Sequence, residues 1–457
     1  MSYRKLFIFF NLAMLASFIA AFVLDYNADW KKHQKEYYRQ ASAALERKAA
    51  AASDPEEKKA LLAEAAKLKR TPLEIKQIIT KDLGRVDRCT TCHVGMDEYV
   101  NPSMANDFTK NPFKAHPNAA VLNGNHPFQK YGCTACHQGQ GLATTAKAAH
   151  GKVMHWEKPM LEGKLIQASC AKCHANFETL KGAEVAALGK KLFNKHGCQG
   201  CHSIRGVGGI ISVDLGDIAD KPVERIAGYN FDRVLKLDSR TGKMEKLHHS
   251  HHEDEWNIQN WILGHLTNDP IVVTPNDPFA QFNPEPVAPS GMPDFREELG
   301  HSGAEAITAY LMSMSAEQLP HRYFVPAPAK PEPRFANNLE HGKHVFEKYG
   351  CQGCHGLGGV KGRRNYNALG PGQEDPKKDM DKGQEPTLVD VVGTYTHEEL
   401  KKRISAGVPA SAVSKFNEKG PVPPLYMPAW KDKIKGKELD DLASWLLSIA
   451  KKDDSGF

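Results

Sequence analysis

The first texture along the chain is a block. Leu6 to Leu24 runs 19 residues that are polar only at Asn11 and Ser17. That length crosses a bilayer as one helix, and Arg4 and Lys5 in front of it place the N-terminus on the cytoplasmic side. A cleaved signal peptide also starts with charge and an apolar run. This run exceeds the usual h-region, however, and no clean Ala-x-Ala site closes it. An uncleaved single-pass anchor over 1–25 is therefore expected.

From Tyr26 to Gly84 the texture changes to Ala, Lys and Glu, as in "ASAALERKAAAASDPEEKKALLAEAAKLKR". These are strong helix formers. Asp54-Pro55 and Thr71-Pro72 read as an N-cap followed by a first-turn proline, so two or three helical segments are expected across 26–84. They form a stalk or lie along a partner; a solvated spacer is the plainer alternative. Residues 85–180 hold no sustained period, which predicts short helices and little else.

Beyond that point the chain repeats itself. "GKKLFNKHGCQGCHSIRGVGG" starts at Gly189 and "GKHVFEKYGCQGCHGLGGVKG" at Gly342. Each copy later shows a Met-Pro turn and a short amphipathic helix, "SGMPDFREELGHSGAEAITAYLMSM" with Met292 and "LYMPAWKDKIKGKELDDLASWLLSI" with Met427. In the second, Leu439, Leu442, Ala443 and Leu446 share one helical face. Two helical domains are expected, 181–318 and 336–457. Between them 319–335, "LPHRYFVPAPAKPEPRF", has five prolines and no apolar period. It reads as a semi-rigid linker on which the last domain swings. The fold class is mainly α.

Cysteine placement brings in the chemistry. All 10 cysteines fall in five Cys-x-x-Cys-His units: Cys89/Cys92/His93, Cys133/Cys136/His137, Cys170/Cys173/His174, Cys198/Cys201/His202 and Cys351/Cys354/His355. With the same composition scattered at random, roughly 0.01 such units would arise. The string is an attachment site for haem c. Two thiols form thioethers to one porphyrin, and the adjacent imidazole becomes the proximal iron ligand. A zinc ribbon needs two pairs per metal and no histidine behind each. A disulfide framework would not confine its cysteines to close pairs. A thioredoxin-like redox site needs one motif in a βαβ setting. Five covalently bound haem c groups are expected, three of them within 85–180. So little chain cannot bury three macrocycles in an ordinary apolar core, so the haems themselves must be the core.

Haem c attachment implies export, which agrees with an anchor in the cytoplasmic (inner) membrane and haem domains in the periplasm. The anchor has no histidine, so it neither holds a haem pair nor encloses a quinone by itself. Formal charge is +6, but the haem carboxylates move it to roughly +1 oxidised and −4 reduced. The basic balance is therefore no argument for nucleic acid, and none is expected as a partner.

The repeat resembles the class I cytochrome c fold over about 181–318 and 336–452: an N-terminal helix carrying the motif, a loop with a distal Met, and a C-terminal helix. That resemblance implies His202 and His355 as proximal ligands, with Met292 and Met427 opposite them. The motif-to-Met gaps are 90 and 72 residues, so each copy carries an insertion. "VDRCTTCHVG", "HPFQKYGCTACHQGQG" and "AAHGKVMHWEKPMLEGKLIQASCAKCH" resemble, over about 72–175, the multihaem cytochrome subunits of membrane quinol-oxidising complexes. Those include alternative complex III and the cytochrome b-associated subunits. That similarity implies an electron wire docked on a quinol-oxidising membrane subunit, with a soluble cytochrome or a terminal oxidase as acceptor.

Three N-terminal irons need three further ligands. His116, His126 and His150 are favoured: the first two precede prolines, and His150 sits in "AAHG" between two motifs. His155, Met96, Met104, Met154 and Met160 are weaker options. Two imidazoles lower a haem potential and a methionine raises it, so three low-potential haems followed by two higher ones are expected. No catalytic residue is assigned. The alternative is a multihaem reductase or dihaem peroxidase with one open iron, which the supply of five outer ligands opposes. A haem-based sensor would need an output domain. His248, His249, His251 and His252 with Glu253, Asp254 and Glu255 suit zinc or copper by donor type; a solvated insertion loop is the plainer reading.

Overall fold

The computed structural model describes residues 2–96, 108, 110–114, 116, 124–153, 156–222, 235–237, 244–246, 257–267, 292–293, 295–317, 319–329, 331–363, 387–412 and 426–451. It is mainly α, with three two-stranded sheets among the described residues. The chain divides into two compact units, Met1–Met160 and Leu161–Phe457.

The apolar block forms α1 (Tyr3–Tyr26), with no residue of the helix buried. It is the one helix among the described residues that is long and apolar enough to cross a membrane. Its two polar side chains are satisfied along the helix itself: Asn11 Nδ2 donates to the Phe7 carbonyl and Ser17 Oγ to the Met14 carbonyl. Internal pairing of this kind is what a hydrocarbon environment demands.

Two helices follow, α2 (Asp29–Ala51) and α3 (Pro55–Lys69). Asp54 caps α3 by accepting from the Glu56 amide, with Pro55 in the first turn. The Asp-Pro signal therefore works as expected. The helices fold back on one another, and Lys69 pairs with Glu46 across them. Tyr37 and Tyr38 of α2 bury against Val94 and Phe113, so the helices pack against the first attachment motif. Burial of side chains such as Val94 and Phe113 contributes roughly 1.5–3 kcal/mol each.

Thr71-Pro72 does not start a helix. The chain instead runs extended into β1 (Ile78–Thr80), which pairs antiparallel with β2 (Arg85–Asp87). Tertiary hydrogen bonds override the local signal. The buried Gln34 amide donates to the Glu74 carbonyl and accepts from the Glu74 N–H, and also reaches the Thr91 carbonyl. Thr91 Oγ1 donates to the Lys76 carbonyl. Ile75, Ile78, Ile79 and Thr80 are β-branched and suit a strand. The rest of this unit holds three single-turn helices, α4 (Phe128–Tyr131), α5 (Thr134–His137) and α6 (Ala146–Ala149), which is the sparse regular structure expected there.

The second unit opens with α7 (Ala168–Cys173), which carries the third motif. The sequence reading groups this motif with the first two. Here Ala168 and Cys170 border the apolar cluster that also holds Phe193, Ile307 and Tyr310. Next come α8 (Glu184–Lys195), α9 (Ile258–Thr267) and α10 (Arg296–Leu311). After them lie α11 (Asn338–Lys348), α12 (Gln352–His355), α13 (Leu388–Val391), α14 (His397–Ala406) and α15 (Gly436–Ser448).

The repeat is legible in the packing. α8 crosses α10, and α11 crosses α15. At each crossing a glycine lets the backbones touch: a Cβ on Gly189 would lie 1.9 Å from the Ala306 carbonyl oxygen, and one on Gly342 would lie 2.0 Å from that of Asp441. One turn on, Phe193 meets Tyr310 edge-on and Phe346 packs on Trp445.

The expected swing of the last domain is corrected here. The chain of 319–335 is pinned, because Val325 exchanges backbone hydrogen bonds with Cys173 and Ala175 beside the third motif. The two repeated motifs also pack against each other. Cβ atoms on Gly197 and Gly353 would lie 2.3 Å from Gly353 N and 2.5 Å from the Gly197 oxygen. Gly350 and Gly200 approach in the same way. Gln199 Nε2 donates to the carbonyls of Asn194 and Glu347, and Gln352 Nε2 donates to the same two. Backbone contact on that scale holds the domains together.

Candidate functional site

Asp87 ends β2 and is almost wholly buried. Its carboxylate accepts from the N–H groups of Cys133 and Thr134 and from Thr134 Oγ1. The strand leading into the first motif therefore caps the helix that carries the second. The Cys133 thiol in turn hydrogen-bonds the Cys89 thiol, which with burial pushes its pKa well up. Two attachment sites adjoin through their cysteines.

Cys136 departs from the expectation that the haem-packed core of 85–180 encloses both thiols of every pair. It is exposed, whereas the other cysteines are all half-buried. The reason is local. Asp87 draws the start of α5 inward at Cys133 and Thr134, and the helix is a single turn that ends at His137. Its far end, where Cys136 stands, lies at the protein surface. The correction concerns burial and not chemistry, since a thioether needs the thiol spacing and an accessible sulfur. Cys136 keeps its attachment assignment, at the solvent edge of the second site.

The histidines of these motifs are each faced by another. His93 and His150 lie with ring centroids 6.3 Å apart, and His137 and His116 lie 6.0 Å apart. A metal–imidazole bond is about 2.0 Å and a ring nitrogen sits about 1.1 Å from its centroid, so imidazoles on opposite sides of one metal have centroids about 6.2 Å apart. Both pairs fit one iron each. His93 Nδ1 lies 3.1 Å from the Pro112 carbonyl. A carbonyl only accepts, so Nδ1 carries the proton and Nε2 is the ligating atom. Burial pushes His137 down to about 4, aided by His116 and His93, and lowers His93 and His116. The neutral imidazole so favoured is the form that binds metal.

His126 packs on Tyr131, 5.1 Å between centroids. His174 belongs to the second unit. Its neighbour Cys173 and the following Ala175 bond to Val325. Met96 and Met160 lie among the described residues, whereas Met104, Met154, His155 and the His248–His252 cluster lie outside them.

In the fourth site, His202 Nδ1 lies 2.9 Å from the Val213 carbonyl, which again leaves Nε2 for metal. Met292 and Cys198 both border the apolar cluster of that domain. In the fifth, Met427 and Cys351 border the second cluster, and the Met427 carbonyl accepts from Val408 N–H. Burial pushes the Cys198 and Cys351 thiols up to about 12 and Cys92 to about 11.

Arg363 has no counterpart in the sequence reading. It follows the fifth motif, donates from its backbone to the Cys354 carbonyl, pairs with Glu298 of the fourth domain and lies over Phe295. Its side chain is buried, yet Nε and Nη2 have no hydrogen-bond partner. Orphaned cationic donors beside two haem attachment loops fit a cofactor that carries carboxylates. Asp87 and Gln34 were equally invisible to motif reading. The repeated glutamine of Gly-Cys-Gln-Gly-Cys-His was a signal, since nothing in haem attachment requires it.

Helices at both ends, the motif between them and a methionine-bearing loop define the last domain as a c-type cytochrome module. Residues 339–450 match the cytochrome c family model. No curated protein and no solved structure matches the chain. The chain thus carries a cytochrome c domain, which holds haem c covalently and serves electron transfer.

Proposed function

We propose that this chain is a membrane-anchored electron conduit carrying five covalently bound haem c groups, and that 181–318 is a second cytochrome c domain. It takes electrons from a quinol-oxidising, cytochrome b-like membrane subunit. It passes them on the periplasmic side of the inner membrane to a soluble cytochrome or a terminal oxidase. The observation that carries this reading is the pairing of motif histidines with second histidines at single-iron spacing in the first two sites. A filled sixth position suits electron transfer; an open one would suit substrate chemistry.

When bound, haem c supplies a one-electron iron couple whose potential follows its axial ligands. The chain's residues hold and orient it. The ten cysteines attach it, and His93, His137, His174, His202 and His355 are the proximal ligands. His150 and His116 oppose the first two, and Met427 opposes His355. The fifth site, ligated by methionine, has the higher potential and is the exit. His126 remains the assignment carried from the sequence for the third iron. Asp87 keeps the first two attachment loops together, and the glycine contact does the same for the last two.

Mass spectrometry of the purified protein tests the count, with five haem additions expected. Low-temperature EPR with spins quantified against haem tests the role. Five low-spin ferric signals are expected. A stoichiometric high-spin haem in the native protein would overturn the conduit reading in favour of an enzyme with an open iron.

A further inference from the structure

The insertion that separates His202 from Met292 contains α9, and α9 is not a peripheral decoration. Ile258, Trp261, Ile262 and Leu266 bury into the apolar cluster of the fourth domain, beside Ile204, Leu215 and Ile218 of the loop that follows the motif. Lys221, from the end of that loop, lies over the Trp261 ring at 3.7 Å.

His265 lies on this helix. Its Nδ1 is 2.9 Å from the Trp261 carbonyl, and its ring packs on the Trp261 ring with centroids 4.0 Å apart. The carbonyl makes Nδ1 the protonated nitrogen and fixes Nε2 as the lone-pair donor, as it does for His93 and His202. Two features of the first two sites recur. The His265 imidazole is electrostatically coupled to that of His202, as His93 is to His150 and His137 to His116. Burial then pushes it down to about 4, which keeps it neutral.

We infer that His265, not Met292, is the outer axial ligand of the fourth haem, opposite His202. The inference rests on the proposed haem occupancy of the Cys198/Cys201 site. Met292 then packs at the edge of the domain core. The fourth haem joins the low-potential group, and the single methionine-ligated haem is the last one, at Met427.

The test uses the full five-haem protein. Near-infrared magnetic circular dichroism counts ferric haems with methionine ligation, and peptide mass spectrometry shows separately whether Cys198 and Cys201 carry haem. An unloaded peptide would sink the occupancy reading, whatever the spectrum. With the site loaded, one methionine-ligated haem is expected in the native protein. Met292→Leu should leave that signal intact. His265→Met should add a second such haem and shift the oxidised-to-reduced ratio of one haem at fixed potential about tenfold or more towards reduced. Two methionine-ligated haems in the native protein, or loss of one on Met292→Leu, would overturn the inference. The native and Met292→Leu spectra decide the matter even if His265→Met does not fold.

Discussion

The contact between the two repeated motifs yields the sharpest quantitative test. In Gly200→Ala the added methyl would lie 2.3 Å from the Gly350 carbonyl oxygen. Ordinary non-bonded contact begins near 3.5 Å, so the loops must part by about 1 Å. Both walls are backbone, and no rotamer change relieves the clash. Four glutamine amide contacts of 2.9 to 3.3 Å span the same seam. Stretched beyond hydrogen-bond reach, at about 0.5–1.5 kcal/mol each, they represent about 2–6 kcal/mol of coupling between the domains. Pulse radiolysis with spectral resolution of the methionine-ligated haem reads electron equilibration between the fourth and fifth sites. Calorimetry reads whether the domains melt together. Gly200→Ala should slow equilibration, because tunnelling falls steeply with distance, and should split one melting transition into two. Gly393→Ala is the control, since its methyl would meet only Ala450 Cβ at 3.5 Å. Unchanged equilibration and melting in Gly200→Ala would refute the reasoning.

Gly342→Ala drives a methyl into the Asp441 carbonyl at 2.0 Å and should destabilise the last domain by about 1–3 kcal/mol or more, read by denaturant titration of its Met-ligated haem band. Asp87→Ala strips the capping acceptor from Cys133 and Thr134. It should cost about 2–4 kcal/mol and lower haem occupancy at Cys133/Cys136 in peptide mass spectra, and Asp87→Asn should rescue it in part. Asp441 is desolvated, which raises its pKa, but hydrogen bonds from Lys437 and His341 outweigh this and hold it below the ordinary 3.8. A lowered folded-state value means its contribution is complete above about 3.8 and fades as pH falls through the lowered value. Asp441→Asn should therefore flatten the acid limb of the last domain's melting profile, and an unchanged limb would count against the pairing.

What the sequence disclosed and what it hid divide along a physical line. Covalent chemistry was open to reading, because haem attachment demands fixed spacing and leaves Cys133/Cys136/His137 written in order. The spacing says nothing of burial, so the exposure of Cys136 beside a half-buried Cys133 was hidden. Local helix signals also held where nothing competed, as at Asp54-Pro55. Thr71-Pro72 failed because Gln34, some forty residues earlier, claims the Glu74 backbone. No periodicity records such a bond. The pairing of His150 with His93 and of His116 with His137 is a tertiary fact as well. Sequence proximity to a proline singled out His116 but could not say which iron it faces. The swinging linker was misread for a related reason. Five prolines describe the strap's stiffness, while its freedom is decided at Val325 and at four glycines elsewhere.

Those glycines explain why the chain writes Gly-Cys-Gln-Gly-Cys-His twice. One copy attaches one haem, and neither the glycines nor the glutamine is needed for that. Gly197 and Gly350 turn the chain in a left-handed conformation, with φ of 75° and 71°, and leave no side chain between the loops. Each glutamine then bonds across to the other copy's carbonyl. The same residues that place the thioethers thus form the surface that joins the domains, so the attachment edges of the two sites are brought together by the attachment loops themselves. A substitution at this seam should alter how fast the two sites exchange electrons before it alters the potential of either, because the axial ligands stand outside it.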